Sequence, residues 1–560
     1  MKTVFRKSTS ILLILALVLG QTIVSWSIDD AANVPKQITI SATTMPSKVL
    51  NFTWTVKDTK LTTKNVLQVM EKSLSSEFDP IKAVKFQATA RKGYNMPGKL
   101  VIKATAKNLK PDTEYLYRVG NETANVWSEG SFKTIVDSSK DSEISFVFIA
   151  DPQIDGIDSK AASVSFEKVF NKYPDSSFTY VAGDFTEEGP NEVQWEGLFN
   201  GGGLYPNAGQ KLFANTITVG TQGNHDWAGL DNHFSFPAIN GLSNVYSFDA
   251  GPVHFIVLNT NYCDNNVSAF QKEMEWLEQD VKGTQKPWKI VLAHKPPYSG
   301  GLNINYEPDM KFLRQNLVPV LTRLGIDALL GGHDHTYSRG FVDLKGYNVK
   351  SSMLDKETAV QPKTFDNNGK EYTPVLFVGN CTSGASKWYP AGYYNADPDD
   401  PIAKNYAFLE KSSAGFSNRY QYQAYTKVSV SDNKLSFITE MFHYDLNTDK
   451  ITKEPFVYEK YSVVKRSSSA SQNPSPIITS ASTPTRPPTK TPTPTNTPAI
   501  PTGDFNNDGI INMADVINLA RRFNKVKGDQ TYNLAYDLKN DGVINMADVL
   551  IMASKFNKTI

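Results

Sequence analysis

The chain has 560 residues, too many for one ordinary core and enough for roughly three or four domains. Its 58 basic and 57 acidic side chains leave a net charge of +1, which removes any electrostatic reason to expect nucleic acid or an anionic membrane as partner. Two cysteines, Cys263 and Cys381, exclude a disulfide-stapled scaffold, and the composition is that of a globular protein.

Residues 1–27 read as an export signal. Lys2, Arg6 and Lys7 precede an apolar run over 11–19, and the small residues Ser25 and Ser27 suit a signal-peptidase site. The run is too short to span a bilayer, and nothing later approaches the roughly 20 apolar residues of a transmembrane helix. A secreted, extracellular protein is expected, soluble or held at the cell surface through a partner.

Short alternating runs at 37–40, 52–55, 100–102 and 115–119 predict a β-sandwich over 34–136. The stretch 109–119, continuing to Trp127-Ser128 and Phe132-Lys133-Thr134, resembles the last strands of a fibronectin type III module. It resembles the N-terminal β-domain of purple acid phosphatases more closely still. No titratable cluster there suggests chemistry, so a structural or docking role is expected.

From 143 to 462 apolar runs alternate with helical stretches such as 270–281 and 310–324, an α/β pattern. Five runs end in nitrogen or oxygen donors. Residues 146–150 lead to Asp151-Pro152-Gln153, and 180–182 lead to Gly183-Asp184. The β-branched run 216–219 leads to Gly223-Asn224-His225-Asp226. Residues 289–293 end at His294, and 327–330 lead to Gly331-Gly332-His333-Asp334-His335. Ligand sites in open α/β folds gather at the carboxyl ends of strands. Singly each donor has an ordinary use, Asp184 as a helix cap and His294 as a loop imidazole. Jointly they do not: four of only seven histidines fall at these strand ends. Carboxylates, an amide and imidazoles together suit two transition-metal ions better than calcium or magnesium, for which imidazole is a poor ligand.

The ordered set Asp151, Gly183-Asp184, Gly223-Asn224-His225-Asp226, Ala293-His294 and Gly332-His333-Asp334-His335 resembles the calcineurin-like metallophosphoesterases, and the preceding β-domain points to their purple acid phosphatase branch. The resemblance implies two packed sheets flanked by helices, with Asp184 bridging two metals. Asp151, Asp184 and His335 would hold one metal; Asp184, Asn224, His294 and His333 would hold the other. Two departures stand out. Many relatives have His where this chain has Gln153, a weaker neutral donor. Purple members carry a tyrosinate three residues after the bridging Asp, where this chain has Glu187. Without phenolate-to-iron charge transfer the protein is expected not to be purple, and iron, manganese and zinc all remain open. Two cations roughly 3.5 to 4 Å apart would make a bridging hydroxide available near neutral pH. His225 would protonate the departing alkoxide, with Asp226 as its orienter.

Cys263 and Cys381 follow the strand-like runs 254–258 and 375–378, so a disulfide and two separate thiols are both open. Lys387-Trp388-Tyr389-Pro390 and Arg419-Tyr420 offer cationic and aromatic groups, though surface loops of that composition are common. Residues 425–430 and 434–441 read as closing strands. The stretch 467–502 is nearly all Ser, Thr, Pro and Ala and reads as an extended linker.

Beyond it, over 503–560, the sequence repeats. Asp504, Asn506, Asp508, Ile510, Asn512 and Asp515 occupy the ligand positions of a calcium loop, and Asp537, Lys539, Asp541, Val543, Asn545 and Asp548 occupy the same positions in a second copy. Each copy has Gly at the sixth place and runs into an amphipathic helix. The duplicated loop-helix resembles dockerin modules, which implies a small α-helical domain holding up to two calcium ions. It further implies docking onto a cohesin domain of a cellulosome scaffold. Met513, Ala514, Met546 and Ala547 are the positions the resemblance assigns to cohesin contact, and the near-identity of the copies would allow two binding orientations. Lys539 puts a cation at a ligand position and should weaken the second site unless it swings clear.

The leading reading is a secreted metal-dependent phosphoesterase carried on a cellulosome. A non-catalytic accessory protein retaining the fold is the alternative, and the intact ligand set favours the first.

Overall fold

The computed structural model describes residues 34–57, 64–137, 143–156, 159–301, 307–344, 348–349, 358–384, 411–412 and 422–465. Toward the C-terminus it describes 505, 519, 522, 525–529, 532–545, 548 and 551–552. The expected signal peptide, the linker, the Trp388 and Arg419 loops, most of the first calcium loop and all four expected cohesin contacts lie outside the described residues. The chain divides into two compact units, Met1–Ser471 and Gln472–Ile560.

In the first unit an eleven-stranded sheet has Ile144–Ile149, Thr179–Val181 and Ile217–Gly220 as parallel neighbours, with Gln423–Val430 antiparallel on the outer side of the first. An eight-stranded sheet is centred on Val253–Val257, Trp288–Leu292, Ala328–Gly331 and Val375–Gly379, all parallel. Alternation within the strands explains how they stack. Phe146 and Phe148 point into the same core as Phe255 and Leu292, whereas Val147 and Ile149 pack with the helices Ser159–Lys172, Glu192–Asn200 and Ala208–Asn215. Ile256, Val291 and Leu329 face the helices Val267–Gly283, Pro308–Asn316 and Val318–Leu324. Strands buried on both faces read as continuous apolar runs, and the layers follow as helices, sheet, sheet, helices. The expected helix 310–324 is two helices, because Pro319 lacks an N–H and occupies the first turn of the second.

The N-terminal sandwich does not stand apart. Its strand Lys36–Ala42 pairs in parallel with Ile217–Gly220, Ile40 opposite Ile217, so half of the sandwich extends the eleven-stranded sheet. Its other sheet, four strands including Asn65–Glu71 and Glu114–Asn121, closes over a core that runs without a break into the α/β layers. Buried polar contacts pin the junction. The Tyr117 hydroxyl donates to the Ala214 carbonyl at 2.7 Å, while Gln37 Nε2 and Lys99 Nζ donate to Glu192 Oε1 at 2.9 and 2.7 Å. The sandwich thereby buttresses the strand that ends at Asn224 and His225. Cys263 and Cys381 are both buried, and neither is in a disulfide.

On the second sheet His254, in the strand Val253–Val257, lies between two carboxylates, with Nδ1 2.7 Å from Asp249 Oδ1 and Nε2 2.8 Å from Asp280 Oδ2. Burial alone would lower its pKa, but Asp249 and Asp280 outweigh burial and raise it to about 9. A folded-state value above the unfolded one gives stability that is complete below about pH 6.5 and lost as pH rises through 9, worth about 2–3 kcal/mol. His254→Gln is therefore expected to lower the thermal midpoint clearly at pH 6 and much less at pH 9.5, as read by calorimetry.

Candidate metal centre

The parallel strands of both sheets deliver their carboxyl ends to one edge of the molecule, and the loops that follow are folded back sharply. Asp151, Gln153, Asp184, His333 and His335 all have left-handed backbone, with φ of 47°, 42°, 48°, 70° and 52°. Such conformations cost of order 1–3 kcal/mol each and cluster at functional sites. Two glycines make the convergence sterically feasible. A Cβ on Gly223 would lie 2.0 Å from Asp184 Oδ1, and one on Gly332 would lie 2.5 Å from Asp151 Oδ2.

Asp184, His294 and His333 offer ligand atoms that all lie within 4.8 Å of one another. His294 Nε2 is 3.2 Å from Asp184 Oδ2 and 2.9 Å from Asn224 Oδ1, and His333 Nδ1 is 3.3 Å from His294 Nε2. Asp151 Oδ1 lies 3.7 Å from His294 Nδ1 and 3.9 Å from His335 Nε2. Backbone N–H groups hold the two carboxylates, His333 donating to Asp151 Oδ1 at 2.8 Å and His225 to Asp184 Oδ1 at 2.9 Å. Outer partners turn the imidazoles. His294 Nδ1 donates to the Ala182 carbonyl at 2.6 Å, which leaves Nε2 facing Asp184 and Asn224. Glu307 Oε2 is 2.7 Å from His333 Nε2, so Nδ1 faces inward. Nothing local in the sequence marks Glu307, which stands just before Pro308 at a helix start.

These residues fit cations. Asp151 Oδ2 and Gln153 Oε1 are buried without a hydrogen-bond partner, an arrangement that costs about 1–3 kcal/mol per atom unless a positive group faces them. Burial pushes the Asp151 carboxyl well above the ordinary carboxylate range, with Asp184 adding to the push and His294 opposing it. Burial also opposes ionisation of Asp184, but His294, helped by His225 and His333, holds its carboxyl below that range. For His294, burial is outweighed by Asp184 and Asp151, and its pKa rises to about 9.

Asp226 departs from the expectation that it orients His225. Its Oδ1 accepts from the Phe185 N–H at 3.0 Å and its Oδ2 from the Gly223 N–H at 2.9 Å, so it braces the loops that carry Asp184 and Asn224. Burial and the neighbouring Asp184 raise its pKa to about 7. The His225 ring is held instead by Glu187, whose carbonyl oxygen lies 2.6 Å from Nδ1. Beside Asn224 and His333 opens a cavity of about 480 Å³, also lined by Asp264, Lys295, Asp309 and Phe312. Lys295 is buried there and bonded to both Asp264 and Asp309, so its charge is already neutralised.

In the second unit, Leu519, Ile544 and Met552 form a small core. Of the second loop, Asp537 accepts from the N–H groups of Asp541 and Gly542 at 3.1 and 2.8 Å, and Asp548 from those of Lys539 and Asn545 at 2.9 and 2.8 Å. Lys539 does not swing clear of the ligands: its Nζ is 3.2 Å from Asp541 Oδ2.

Two measurements follow. Because His294 is protonated at pH 7 in the metal-free chain, Mn²⁺ uptake is expected to release at least one proton and to tighten as pH rises toward 9; titration calorimetry in buffers of different ionisation heat reads this directly. Lys539→Asn is expected to raise calcium affinity of the second loop on the order of tenfold in a calcium titration.

Residues 144–337 match the calcineurin-like phosphoesterase family, 35–134 the purple acid phosphatase N-terminal domain and 502–557 the dockerin type I domain. Purple acid phosphatase 23 of Arabidopsis thaliana is 26% identical over 268 residues, 41% of this chain, and the match spans 56% of that protein's length. Among solved structures, purple acid phosphatase PPD1 from yellow lupin (Lupinus luteus) superposes with a TM-score of 0.56 at 15% identity, covering 77% of this chain and 75% of that one. PhoD superposes with a TM-score of 0.52 at 11% identity, covering 77% and 91%. The chain thus joins a purple acid phosphatase N-terminal domain and a calcineurin-like phosphoesterase domain to a C-terminal dockerin type I domain.

Proposed function

We propose that the protein is a secreted, dinuclear-metal phosphoesterase attached to a cellulosome scaffold through its dockerin. The observation that carries the catalytic part is the meeting of Asp184, Asn224, His294 and His333 beside buried, unpartnered oxygens on Asp151 and Gln153. Asp151, Gln153, Asp184 and His335 would hold one cation, and Asp184, Asn224, His294 and His333 the other, with iron, manganese or zinc compatible with the donor types. When bound, such a pair supplies Lewis acidity toward phosphoryl oxygens and a water nucleophile at neutral pH. His225 is not required as a ligand in this arrangement. Nδ1–H donates to the Glu187 carbonyl, so Nε2 is the nitrogen that, in the imidazolium form, carries the proton that an alkoxide leaving group needs. Asp226 acts through the backbone, keeping Phe185 and Gly223 in place so that Asp184 and Asn224 stay in register.

The dockerin supports calcium-dependent binding to a cohesin domain, with Met513, Ala514, Met546 and Ala547 as the contact positions. The apolar run near the N-terminus supports export of the chain.

Metal analysis of the purified protein, followed by turnover of a nitrophenyl phosphate monoester and diester, tests the catalytic reading. A protein that is not purple, with two transition metals per chain and turnover, is expected. His225→Ala should retain both metals while kcat falls by about 10²–10⁴. Full metal occupancy without turnover of either ester would favour the accessory-protein reading, and loss of both metals in His225→Ala would remove His225 as proton donor.

A further inference from the structure

Gln153 and Glu187 lie on loops that follow different strands, yet they are bonded to each other. The bridge between Ile154 and Thr186 zips the loops in parallel, with the Gln153 N–H donating to the Asp184 carbonyl at 2.7 Å and the Glu187 N–H to the Ile154 carbonyl at 3.0 Å. That register puts the side chains together: Gln153 Nε2 donates to Glu187 Oε2 at 2.8 Å. A carboxylate only accepts, so this bond fixes which end of the amide is which. Oε1 therefore points away from Glu187, and it is buried without a partner on a residue only 1% exposed. The same Glu187 meets the proton-donor candidate, its carbonyl oxygen 2.6 Å and its Oε2 3.8 Å from His225 Nδ1.

We infer that Glu187 is a positioning residue that locks the Gln153 amide with its oxygen toward the cation held by Asp151, and fixes the His225 ring from the same side chain and carbonyl. The inference rests on the proposed dinuclear site. Glu187 replaces a ligand's rigidity with a hydrogen bond. A neutral amide would otherwise rotate and offer its NH₂ end to the cation as readily as its oxygen, and the carboxylate forbids that.

The test is Mn²⁺ titration of metal-free, full-length protein by calorimetry, with the electron paramagnetic resonance signal of the loaded sites as a second readout. Wild type is expected to bind two ions in the phosphoesterase site, counted with the dockerin calcium sites filled beforehand. Gln153→Ala and Glu187→Ala should each weaken one of the two by about 10- to 100-fold and change the coupled Mn²⁺ signal. The double variant should be no weaker than either single one, as befits two residues acting through one contact. Glu187→Gln should retain most of the affinity, since its amide oxygen still accepts from Gln153 Nε2; a merely structural role would show no such rescue. Glu187→Ala with both sites unchanged, or single effects that add in the double variant, overturns the inference alone. Wild type that takes up no Mn²⁺ in that site overturns the proposed function and the inference with it.

Discussion

Two carboxylates, Asp151 and Asp184, are buried where strands of both sheets end, and their charge is the constraint around which the rest is arranged. Charge of one sign gathered away from water is unstable without a counter-charge. The chain supplies part of it in His294 and His333 and part in backbone N–H groups from His225 and His333. Two buried oxygens, Asp151 Oδ2 and the neutral amide oxygen Gln153 Oε1, are left without a hydrogen-bond donor, an arrangement that favours a cation. Left-handed backbone at five of these positions is the conformational cost of aiming so many donors at one place.

Holding that geometry requires rigid loops, and the fold provides rigidity from several directions. The two sheets share a core, so the strand ends of one cannot shift against the other without opening packed aromatic contacts such as Phe146 against Phe255. The N-terminal sandwich adds Lys36–Ala42 to the sheet directly beside Ile217–Gly220, turning what would be an exposed edge into an interior strand. Asp226 then ties the Asn224 loop to the Asp184 loop through two backbone N–H groups. A domain without titratable chemistry of its own thus contributes to the site by fixing the strand that leads to Asn224 and His225.

The two departures from the purple acid phosphatase pattern, Gln153 and Glu187, are a bonded pair. A neutral amide stands where many relatives have an imidazole, and a carboxylate stands where purple members have a tyrosinate. Glu307 performs a comparable service for His333. The acidic cavity wall of Asp264 and Asp309 is occupied with Lys295, so that lysine has no charge left to offer an anion in the cavity.

Much of this was legible in the linear chain, because the signals are local. A run of apolar residues ending in Gly-Asp, Gly-Asn-His or Gly-His-Asp-His reports a buried strand and the donors at its tip, whatever lies beside it. The duplicated loop from Asp504 and Asp537 reports a dockerin repeat in the same way, by fixed spacing of oxygen-bearing residues. Partnership was not legible. That Asp226 grips Gly223 and Phe185, that Glu187 holds both Gln153 and His225, and that Glu307 turns His333 all depend on the register between segments tens of residues apart. Whether the sandwich stands alone or lends a strand to the neighbouring sheet depends on pairing between residues 40 and 217. The alternation of side chains within a strand is set by its own sequence, but the neighbour each polar group meets is set by how separate strands align, and only the folded chain fixes that alignment.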